Sequence, residues 1–180
     1  MTPAAGYSIR PARWGDIVAL HHVDVSACAM YEDFGVRIPR RGDEGTASTP
    51  GLFEDGSTTW AAVDRSDSAV GYSFAYPVED TIYVAQLSVH RDHQRRGLGT
   101  ALLDTVEAWA AKEGLGALSL VTYTDVPWNA PWYRRIGFVD VPAMALSSGL
   151  HNLLERALAD GSEWRRSLMC RTLPCPQRPL

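Results

Sequence analysis

The sequence predicts a mixed α/β (α+β) fold, in which helices flank one mostly antiparallel central sheet of about six or seven strands. Strand-like and helical segments alternate along the chain, and the early strands follow one another at hairpin-like spacing. Hydrophobic residues occupy 46% of the 180 positions, enough to bury a substantial core without disulfides or metals. We therefore expect a single domain over residues 1–173, followed by a proline-rich, disordered tail over residues 174–180.

Each predicted element has a local signal. Strands are indicated by β-favouring runs between turn residues, at Tyr7–Arg10, Thr58–Val63, Val70–Tyr76, Thr81–His90, Ala117–Tyr123, Phe138–Val141 and Trp164–Thr172. Helices are indicated by apolar residues at helical spacing, at Asp16–Met30, Leu98–Glu113, Pro131–Ile136 and Leu150–Ala159. Asp16 stands where a helix-capping or first-turn acid belongs, and Gly114 ends the strongest helix.

One long segment, Ile38–Ser57, has no periodicity and holds two prolines and four glycines. Its composition predicts a loop. Loops of this length in compact domains are often functional, and an ordinary surface excursion is the equally weighted alternative.

Charge and cysteine content argue against several classes of protein. The 17 basic and 21 acidic residues give a formal charge of −4, which offers no electrostatic case for nucleic acid as a partner. No segment has the roughly 20 apolar residues that cross a membrane, and the N-terminus lacks a signal-peptide pattern. The three cysteines, Cys28, Cys170 and Cys175, form no CxxC pair, which disfavours a disulfide framework. We expect a cytoplasmic protein with neither nucleic acid nor membrane as a partner.

The segment Gln94-Arg95-Arg96-Gly97-Leu98-Gly99-Thr100 connects a predicted strand to the strongest predicted helix. A helix start presents unpaired backbone N–H groups and partial positive charge, glycines admit a bulky phosphate, and two arginines add charge. The pattern therefore predicts a diphosphate-binding turn. It does not match the GxxxxGK[ST] pattern of NTPases, and Leu102 replaces the third small residue of a dinucleotide fingerprint. A tight turn with solvated arginines is the alternative.

Two blocks of sequence, AQLSVHRDHQRRGLGTALLDTVEAWA and LSLVTYTDVPWNAPWYRRIGF, resemble the acyl-CoA motif and the following strand and helix of the GCN5-related N-acetyltransferases (the GNAT family). The resemblance is strongest from Val84 to Val139, and the order of the earlier elements also fits. It implies the GNAT-like acyl-CoA N-acyltransferase fold. It further implies an acetyltransferase that moves the acetyl group of acetyl-CoA, its co-substrate, to a primary amine of a small molecule or peptide.

The resemblance also implies roles for particular residues. The strand backbone is expected to pair with the pantetheine arm of the coenzyme at Leu87, Ser88 and Val89. The turn and the helix start are expected to hold the pyrophosphate through Gln94, Arg95, Arg96, Gly97, Leu98, Gly99 and Thr100. Tyr133 corresponds to the family tyrosine that protonates the departing thiolate, and a phenol with a pKa of about 10 is a workable acid for it. A tyrosine that only packs is the alternative.

Two positions depart from the family pattern. Gln86 stands where many relatives carry a glutamate that acts as general base or holds a water, and an amide takes no proton at neutral pH. The base must then come from elsewhere, act through water, or be unnecessary for an amine that arrives neutral. Val126 stands where many relatives carry an asparagine. Asn129 either hydrogen-bonds the pantetheine from a shifted position or caps the short helix after it.

Other side chains give weaker signals. No metal site is expected, because His21 and His22 point about 100° apart on a helix, while His90 and His93 lack further ligands and are interpreted as solvated. No cysteine has the setting of a nucleophile, which favours direct transfer. The rival interpretations are a transferase for a longer acyl chain and a degenerate module that holds CoA without turnover. The acceptor pocket is expected to include the first helix, the Ile38–Ser57 loop and the final strands, and a homodimer through those strands has no supporting motif.

Overall fold

The computed structural model describes residues 3–36, 53, 56–159 and 162–173. Its strands are β1 (Ser8–Pro11), β2 (Thr58–Val63), β3 (Ala69–Val78), β4 (Thr81–Val89), β5 (Ala117–Tyr123), β6 (Val139–Asp140) and β7 (Arg166–Thr172). Its α-helices are α1 (Ile17–Asp33), α2 (Leu98–Lys112), α3 (Ala130–Arg135) and α4 (Ser148–Leu158). Most of the predicted Ile38–Ser57 loop and the whole 174–180 tail lie outside the described residues. No helix within the described ranges combines the length and the hydrophobicity needed to cross a membrane.

The seven strands form one mixed sheet in the order β1-β2-β3-β4-β5-β7-β6. The pairs β1–β2, β2–β3, β5–β7 and β6–β7 are antiparallel, whereas β4 and β5 are parallel, with Thr81 opposite Ala117. Parallel neighbours require a long crossover, and the chain between β4 and β5 contains α2. The predicted fold class is confirmed, and each predicted strand and helix overlaps an observed one.

The chain divides into two compact units. The first combines Met1–Tyr76 with Ala85–Ala108, and the second combines Pro77–Val84 with Trp109–Leu180. The first unit therefore contains α1 and the connection from β4 to α2, and the second contains α3, α4, β5 and β7. The expectation of one domain over residues 1–173 remains a prediction.

In the first unit, α1 and α2 pack on two separate hydrophobic clusters. Leu20 and Val23 of α1 belong to a cluster that includes Ala61 of β2. Leu98 of α2 belongs to a second cluster, which includes Ala62. Neighbouring residues of a strand point to opposite faces of a sheet, so β2 supplies both clusters from adjacent positions.

A register shift between β2 and β3 turns Tyr72 toward α1. The pairing of β3 steps from Gly71 to Ala69, so Val70 has no partner across the strand. An extra residue of this kind is a β-bulge, and it breaks the strict alternation of side chains. Val70 accordingly belongs to the α2-side cluster and Tyr72 to the α1-side cluster, although residues two apart in a regular strand share a face.

In the second unit, β5 and β7 pair along their whole length, with Tyr123 opposite Arg166. Arg166 donates a hydrogen bond to the Tyr123 hydroxyl at 2.5 Å. At the start of α4, Glu79 accepts hydrogen bonds from the Ser147 hydroxyl and, at 3.0 Å, from the Gly149 N–H. These bonds, and that of Ser147 above all, lower the pKa of the Glu79 carboxyl. An exposed acid in the β3–β4 turn thereby satisfies a backbone group in the first turn of α4.

Asp16 precedes α1 at the predicted capping position, but its side chain does not cap that helix. The buried carboxylate accepts two hydrogen bonds from Arg10, at 2.7 and 2.9 Å, and one from the Arg13 N–H at 2.7 Å. The bonds from Arg10, more than any other influence, hold the pKa of the Asp16 carboxyl below its usual range. Asp16 is thus a first-turn acid, one of the two predicted roles, in the 3-10 turn Trp14–Asp16 that leads into α1, and Arg10 adds charge-assisted bonds to both carboxylate oxygens.

We expect Asp16→Asn to lower the free energy of unfolding by about 2 kcal/mol at neutral pH, because it leaves Arg10 without its buried, two-point partner. The folded-state pKa of Asp16 is depressed, so its stabilisation is complete above the ordinary aspartate pKa of about 3.9. That stabilisation is lost as the pH falls through the folded-state pKa. Urea unfolding over the acid range should show the wild type and the variant converging.

Asp67→Asn is the matched control for this measurement, because Asp67 is an exposed partner of the same Arg10. Solvent screens an exposed pair, so this variant should lose less stability than Asp16→Asn. An equal loss in the two variants would show that the buried geometry of Asp16 is not what stabilises the pair.

Candidate active site

The connection from β4 to α2 is a sharp turn with two residues in left-handed backbone. β4 ends at Val89, a 3-10 turn covers Arg91–His93, and Arg95 and Gly97 have φ angles of 58° and 74°. Gly97 then accepts a hydrogen bond from the Ala101 N–H at 2.9 Å, as α2 begins. Left-handed residues beside a helix start can turn backbone N–H groups toward a common concave side, a geometry that binds anions. The local backbone therefore supports the predicted diphosphate-binding turn.

Side-chain hydrogen bonds hold this turn in place. Gln94 Nε2 donates to the Val89 carbonyl at 3.3 Å, and the Arg96 guanidinium donates to the Tyr7 hydroxyl. The same hydroxyl lies 3.0 Å from His93 Nδ1. His93, interpreted from the sequence as solvated, is instead part of a bonded cluster through which Tyr7 brings the N-terminal segment onto the turn.

The two arginines of the turn differ in how they are held. Both side chains are exposed. Arg96 is tied to Tyr7, with its guanidinium 5.5 Å from the ring centre, whereas Arg95 forms no hydrogen bond or ion pair with any residue that the structure describes. An uncommitted guanidinium beside helix-start amides can add a charge-assisted bond to a phosphate. We therefore expect the Arg95 side chain, rather than that of Arg96, to reach a bound diphosphate.

In residues 87–89, the strand segment expected to meet pantetheine, the side chains contact other parts of the protein. Leu87 and Val89 pack against the cluster of Leu98 and Leu102 on the α2 side. Ser88 is only 5% exposed and faces α1. The parallel pairing of β4 with β5 spans residues 81–83, so the backbone of residues 87–89 lies beyond it on the same strand.

On the α1 side of β4, Asp24 accepts hydrogen bonds from three side chains. Its Oδ2 accepts from the Tyr72 hydroxyl at 2.5 Å, and its Oδ1 accepts from the Ser88 hydroxyl at 3.0 Å and from Gln86 Nε2 at 3.2 Å. Burial raises the pKa of the Asp24 carboxyl against the opposing effect of these donors. Burial, and then the charge of Asp24, raises the pKa of Tyr72 well above its usual value. Gln86 is therefore bound to a carboxylate that α1 supplies.

Sequence analysis did not single out Asp24 as a functional candidate. Asp24 follows Leu20 by four residues on α1, so the two side chains lie on one helix face. Leu20 is buried in the hydrophobic core. An acid on the buried face of a helix is unusual, and this was the sequence signal that could have identified Asp24.

In the second unit, α3 carries Tyr133 and begins after Asn129. Tyr133 is 8% exposed, and its ring centre lies 4.8 Å from that of Trp132 and 5.4 Å from that of Phe138. Asn129 is 6% exposed, and its backbone carbonyl accepts from the Tyr133 N–H at 2.9 Å, but its side chain makes no capping hydrogen bond. The capping alternative for Asn129 is therefore wrong, and its contact with pantetheine stays a prediction. Val126 is fully buried, as suits an apolar residue.

Residues 24–138 match the model of the family described as "Acetyltransferase (GNAT) family". The chain belongs to this family. As a GNAT protein it is an acyl-CoA-dependent acetyltransferase, and the family binds acetyl-CoA and acts on amine acceptors. Within the described part of this GNAT chain, no group of three His, Cys, Asp or Glu side chains could hold a metal ion.

Solved structures share the fold at low sequence identity. A GNAT-family acetyltransferase of Staphylococcus aureus Mu50 aligns with a TM-score of 0.71 at 14% identity, over 93% of this chain and 99% of that one. The PaiA N-acetyltransferase of Thermoplasma acidophilum, in complex with coenzyme A, gives 0.69 at 12% identity, over 93% and 99%. The ribosomal-protein-S18-alanine N-acetyltransferase of Escherichia coli gives 0.67 at 17% identity, over 97% and 98%. At these identities the likeness establishes the fold.

We expect Gly99→Asp to abolish measurable coenzyme A binding while the protein stays folded. Gly99 lies in the first turn of α2, where an added side chain and a negative charge oppose a diphosphate at the helix start. Isothermal titration calorimetry with coenzyme A measures the affinity, and a thermal unfolding curve checks the fold.

Gly116→Asp provides the matched control for the new charge. Gly116 is exposed, and a Cβ built there meets no atom within 4 Å. Near-normal affinity in folded Gly99→Asp, or an equal loss of affinity in the control, would contradict the assignment of the phosphate site.

Proposed function

We propose that this GNAT protein transfers the acetyl group of acetyl-CoA directly to a primary amine of a small molecule or peptide in the cytoplasm. The observation that carries the proposal is the β4–α2 turn, where Arg95 and Gly97 shape the backbone at a helix N-terminus as a diphosphate requires. The compartment is proposed from the odd number and the spacing of the cysteines in the sequence.

Coenzyme binding in this proposal uses the backbone more than the side chains. The amides that follow Gly97, together with the Arg95 side chain, hold the diphosphate. The backbone of residues 87–89, which lies beyond the pairing with β5, meets the amide groups of the pantetheine arm. Asn129 supplies a further polar side chain for the same arm.

The reaction forms an amide bond and breaks a thioester. The neutral amine attacks the carbonyl carbon of acetyl-CoA, and the C–S bond breaks as the N–C bond is completed. The nitrogen loses one proton, and the departing thiolate takes one up. Burial raises the pKa of the Cys170 thiol and so disfavours its thiolate as a nucleophile for an acyl-cysteine route.

Tyr133 is the proposed acid for the departing thiolate. A simple thiol has a pKa of about 8.5 and a phenol one of about 10, so a phenol placed beside the sulfur can donate to it as negative charge develops. The contacts of the Tyr133 ring with Trp132 and Phe138 fix the direction of its side chain, which a positioned acid requires.

Two rival proposals are separated by one assay. A degenerate module would bind coenzyme A without turnover, and Gln86 is the residue that favours it, because an amide is not a base. A transferase for longer chains would prefer a longer acyl-CoA. Release of the CoA thiol from acetyl-CoA and longer thioesters, with small amines and peptides as acceptors, distinguishes the three cases.

We expect Tyr133→Phe to lower kcat by roughly 10²- to 10⁴-fold, the usual range for loss of a general acid. The ring and its packing remain in this variant, so the affinity for acetyl-CoA should hardly change. Since the lost interaction exists only in the transition state, kcat and kcat/KM should fall together. Both constants and the coenzyme affinity are measured on the same preparation.

Phe138→Leu is the control for packing around Tyr133. It disturbs the ring contact at 5.4 Å but keeps the Tyr133 hydroxyl. This variant should lose thermal stability, and its kcat should fall less than that of Tyr133→Phe, because the hydroxyl is still present. Normal turnover in Tyr133→Phe would assign the acid to water or another group and leave Tyr133 as a packed aromatic.

A further inference from the structure

Asp24 is a half-buried carboxylate whose hydrogen-bond donors among the described residues are all neutral groups. Its three hydrogen-bond donors are Tyr72, Gln86 and Ser88, and no lysine or arginine that the structure describes lies within ion-pair distance of it. A charge removed from water is costly unless it is paired or well hydrogen-bonded. The three donors satisfy the oxygens of Asp24, but they do not neutralise its charge.

The hydrogen bonds around Asp24 fix the orientation of the Gln86 amide. Gln86 Nε2 donates to Asp24 Oδ1 at 3.2 Å and to the Ser88 hydroxyl oxygen at 2.8 Å, which uses both of its hydrogens. Ser88 donates its own hydrogen to Asp24, so toward Gln86 it can only accept. A flipped amide would place Oε1 against a carboxylate, with no hydrogen between the two oxygens.

The orientation of the amide leaves Gln86 Oε1 as an uncommitted acceptor. No described residue donates a hydrogen bond to this oxygen, and Gln86 is only partly buried. A neutral oxygen held in this way can accept a hydrogen bond from an amine. The carboxylate on the other side of the amide, that of Asp24, forms no ion pair with a described lysine or arginine.

We propose that Gln86 Oε1 is the hydrogen-bond acceptor for the nitrogen of the amine substrate, and that Asp24 is the positioning residue that acts through Gln86. Asp24 holds the amide with its oxygen available and adds negative charge near the reacting nitrogen. This inference rests on the proposed acetyl transfer to a primary amine and identifies where in the first unit the amine is recognised.

The charge has a role because the amine becomes positive as it attacks. When a neutral nitrogen bonds to the thioester carbonyl, positive charge develops on the nitrogen before its proton leaves. A fixed negative charge nearby stabilises that state more than the free amine, which is the condition for catalysis. Asp24 needs no proton transfer for this task, and the proton leaves the nitrogen to water.

The first test compares Asp24→Asn with the wild type, using a simple primary alkylamine as the acceptor probe. We expect kcat/KM for the amine to fall roughly 10- to 100-fold, because the variant loses a fixed negative charge a few ångströms from the nitrogen on which positive charge develops. The KM for acetyl-CoA should stay within about twofold, because Asp24 is not in the turn that binds the diphosphate. Glu155→Gln removes an exposed carboxylate from α4, which the proposal assigns to neither substrate, and should leave both constants unchanged.

The pH dependence of the variant effect separates charge from structure. The ratio of wild-type to Asp24→Asn kcat/KM should shrink toward 1 as the pH falls through the pKa of Asp24, because the wild type then loses its charge too. Ionisation of the amine affects both proteins equally and cancels in the ratio. The titratable neighbours on α1 are His21, whose charge acts on Asp24, and Cys28, whose charge acts on Tyr72. On β3 the titratable neighbour is Tyr72, and β4 presents the neutral Gln86 and Ser88. The ratio is therefore measured again in a His21→Gln background, since a charge on His21 also acts on Asp24.

A second test exchanges the carboxylate of Asp24 and the amide of Gln86 between the two positions. Gln86→Glu alone sets two carboxylates at a hydrogen-bond contact and should lower kcat/KM, because like charges this close oppose each other. The double variant Asp24→Asn with Gln86→Glu restores one carboxylate and one amide across the same contact, so kcat/KM should recover to within about tenfold of the wild type. Thermal unfolding of every variant identifies any that fail to fold.

The outcomes distinguish this inference from the proposed function. Absence of acetyl transfer to any amine by the wild type rejects both. Normal transfer by the wild type together with unchanged kcat/KM in folded Asp24→Asn rejects the role of Asp24 alone. A pH-independent ratio, or a double variant no better than the weaker single one, assigns Asp24 to structure and also overturns the inference.

Discussion

The abrupt change from extended to helical backbone between Val89 and Leu98 is the constraint on which the rest of the site depends. Left-handed backbone is unfavourable for a residue with a Cβ by roughly 1–2 kcal/mol, and Arg95 adopts it. The hydrogen bonds of Gln94 and Arg96 to groups outside the turn offset this strain. The turn is thus shaped by the protein itself, and a ligand that uses its amides does not have to order it.

The second polar feature of the first unit follows from the sheet. The bulge at Val70 places Tyr72 on the α1 side, where its hydroxyl meets Asp24 at 2.5 Å. Without this donor, Asp24 would lose the shortest of its three hydrogen bonds, in a place where burial already disfavours its charge. A single extra residue in β3 is therefore part of what allows a carboxylate beside Gln86.

The elements and the glycine turn could be predicted because their signals are local. Alternation, helical spacing and a seven-residue motif lie within one segment each, and the structure gives the same order of strands and helices. The polar partnerships could not be predicted in this way. Gln86 and Asp24 are 62 positions apart, and Tyr7 and Arg96 are 89 apart, so only the folded sheet brings them together.

Local capping rules gave only part of the outcome. Asp16 is a first-turn acid that accepts the Arg13 N–H, yet its carboxylate also binds Arg10 through both oxygens, a partner that the local pattern does not indicate. Asn129 stands before α3 as predicted, but the capping group is its backbone carbonyl rather than its side chain. In both cases the sequence identified the position of the residue and not the partner of its side chain.

The neutral residue at position 86 is a consequence of the carboxylate at position 24. With Gln86 Nε2 and Asp24 Oδ1 at 3.2 Å, a glutamate at 86 would set two carboxylates in contact, and one of them would be forced to hold a proton. An amide avoids this conflict, because it donates to Asp24 and keeps an oxygen to accept with. In a degenerate module, Gln86 would stand for a missing charge. In the folded protein that charge is present on α1, in hydrogen-bond contact with the same side chain, so the amide at this position does not by itself indicate loss of catalysis.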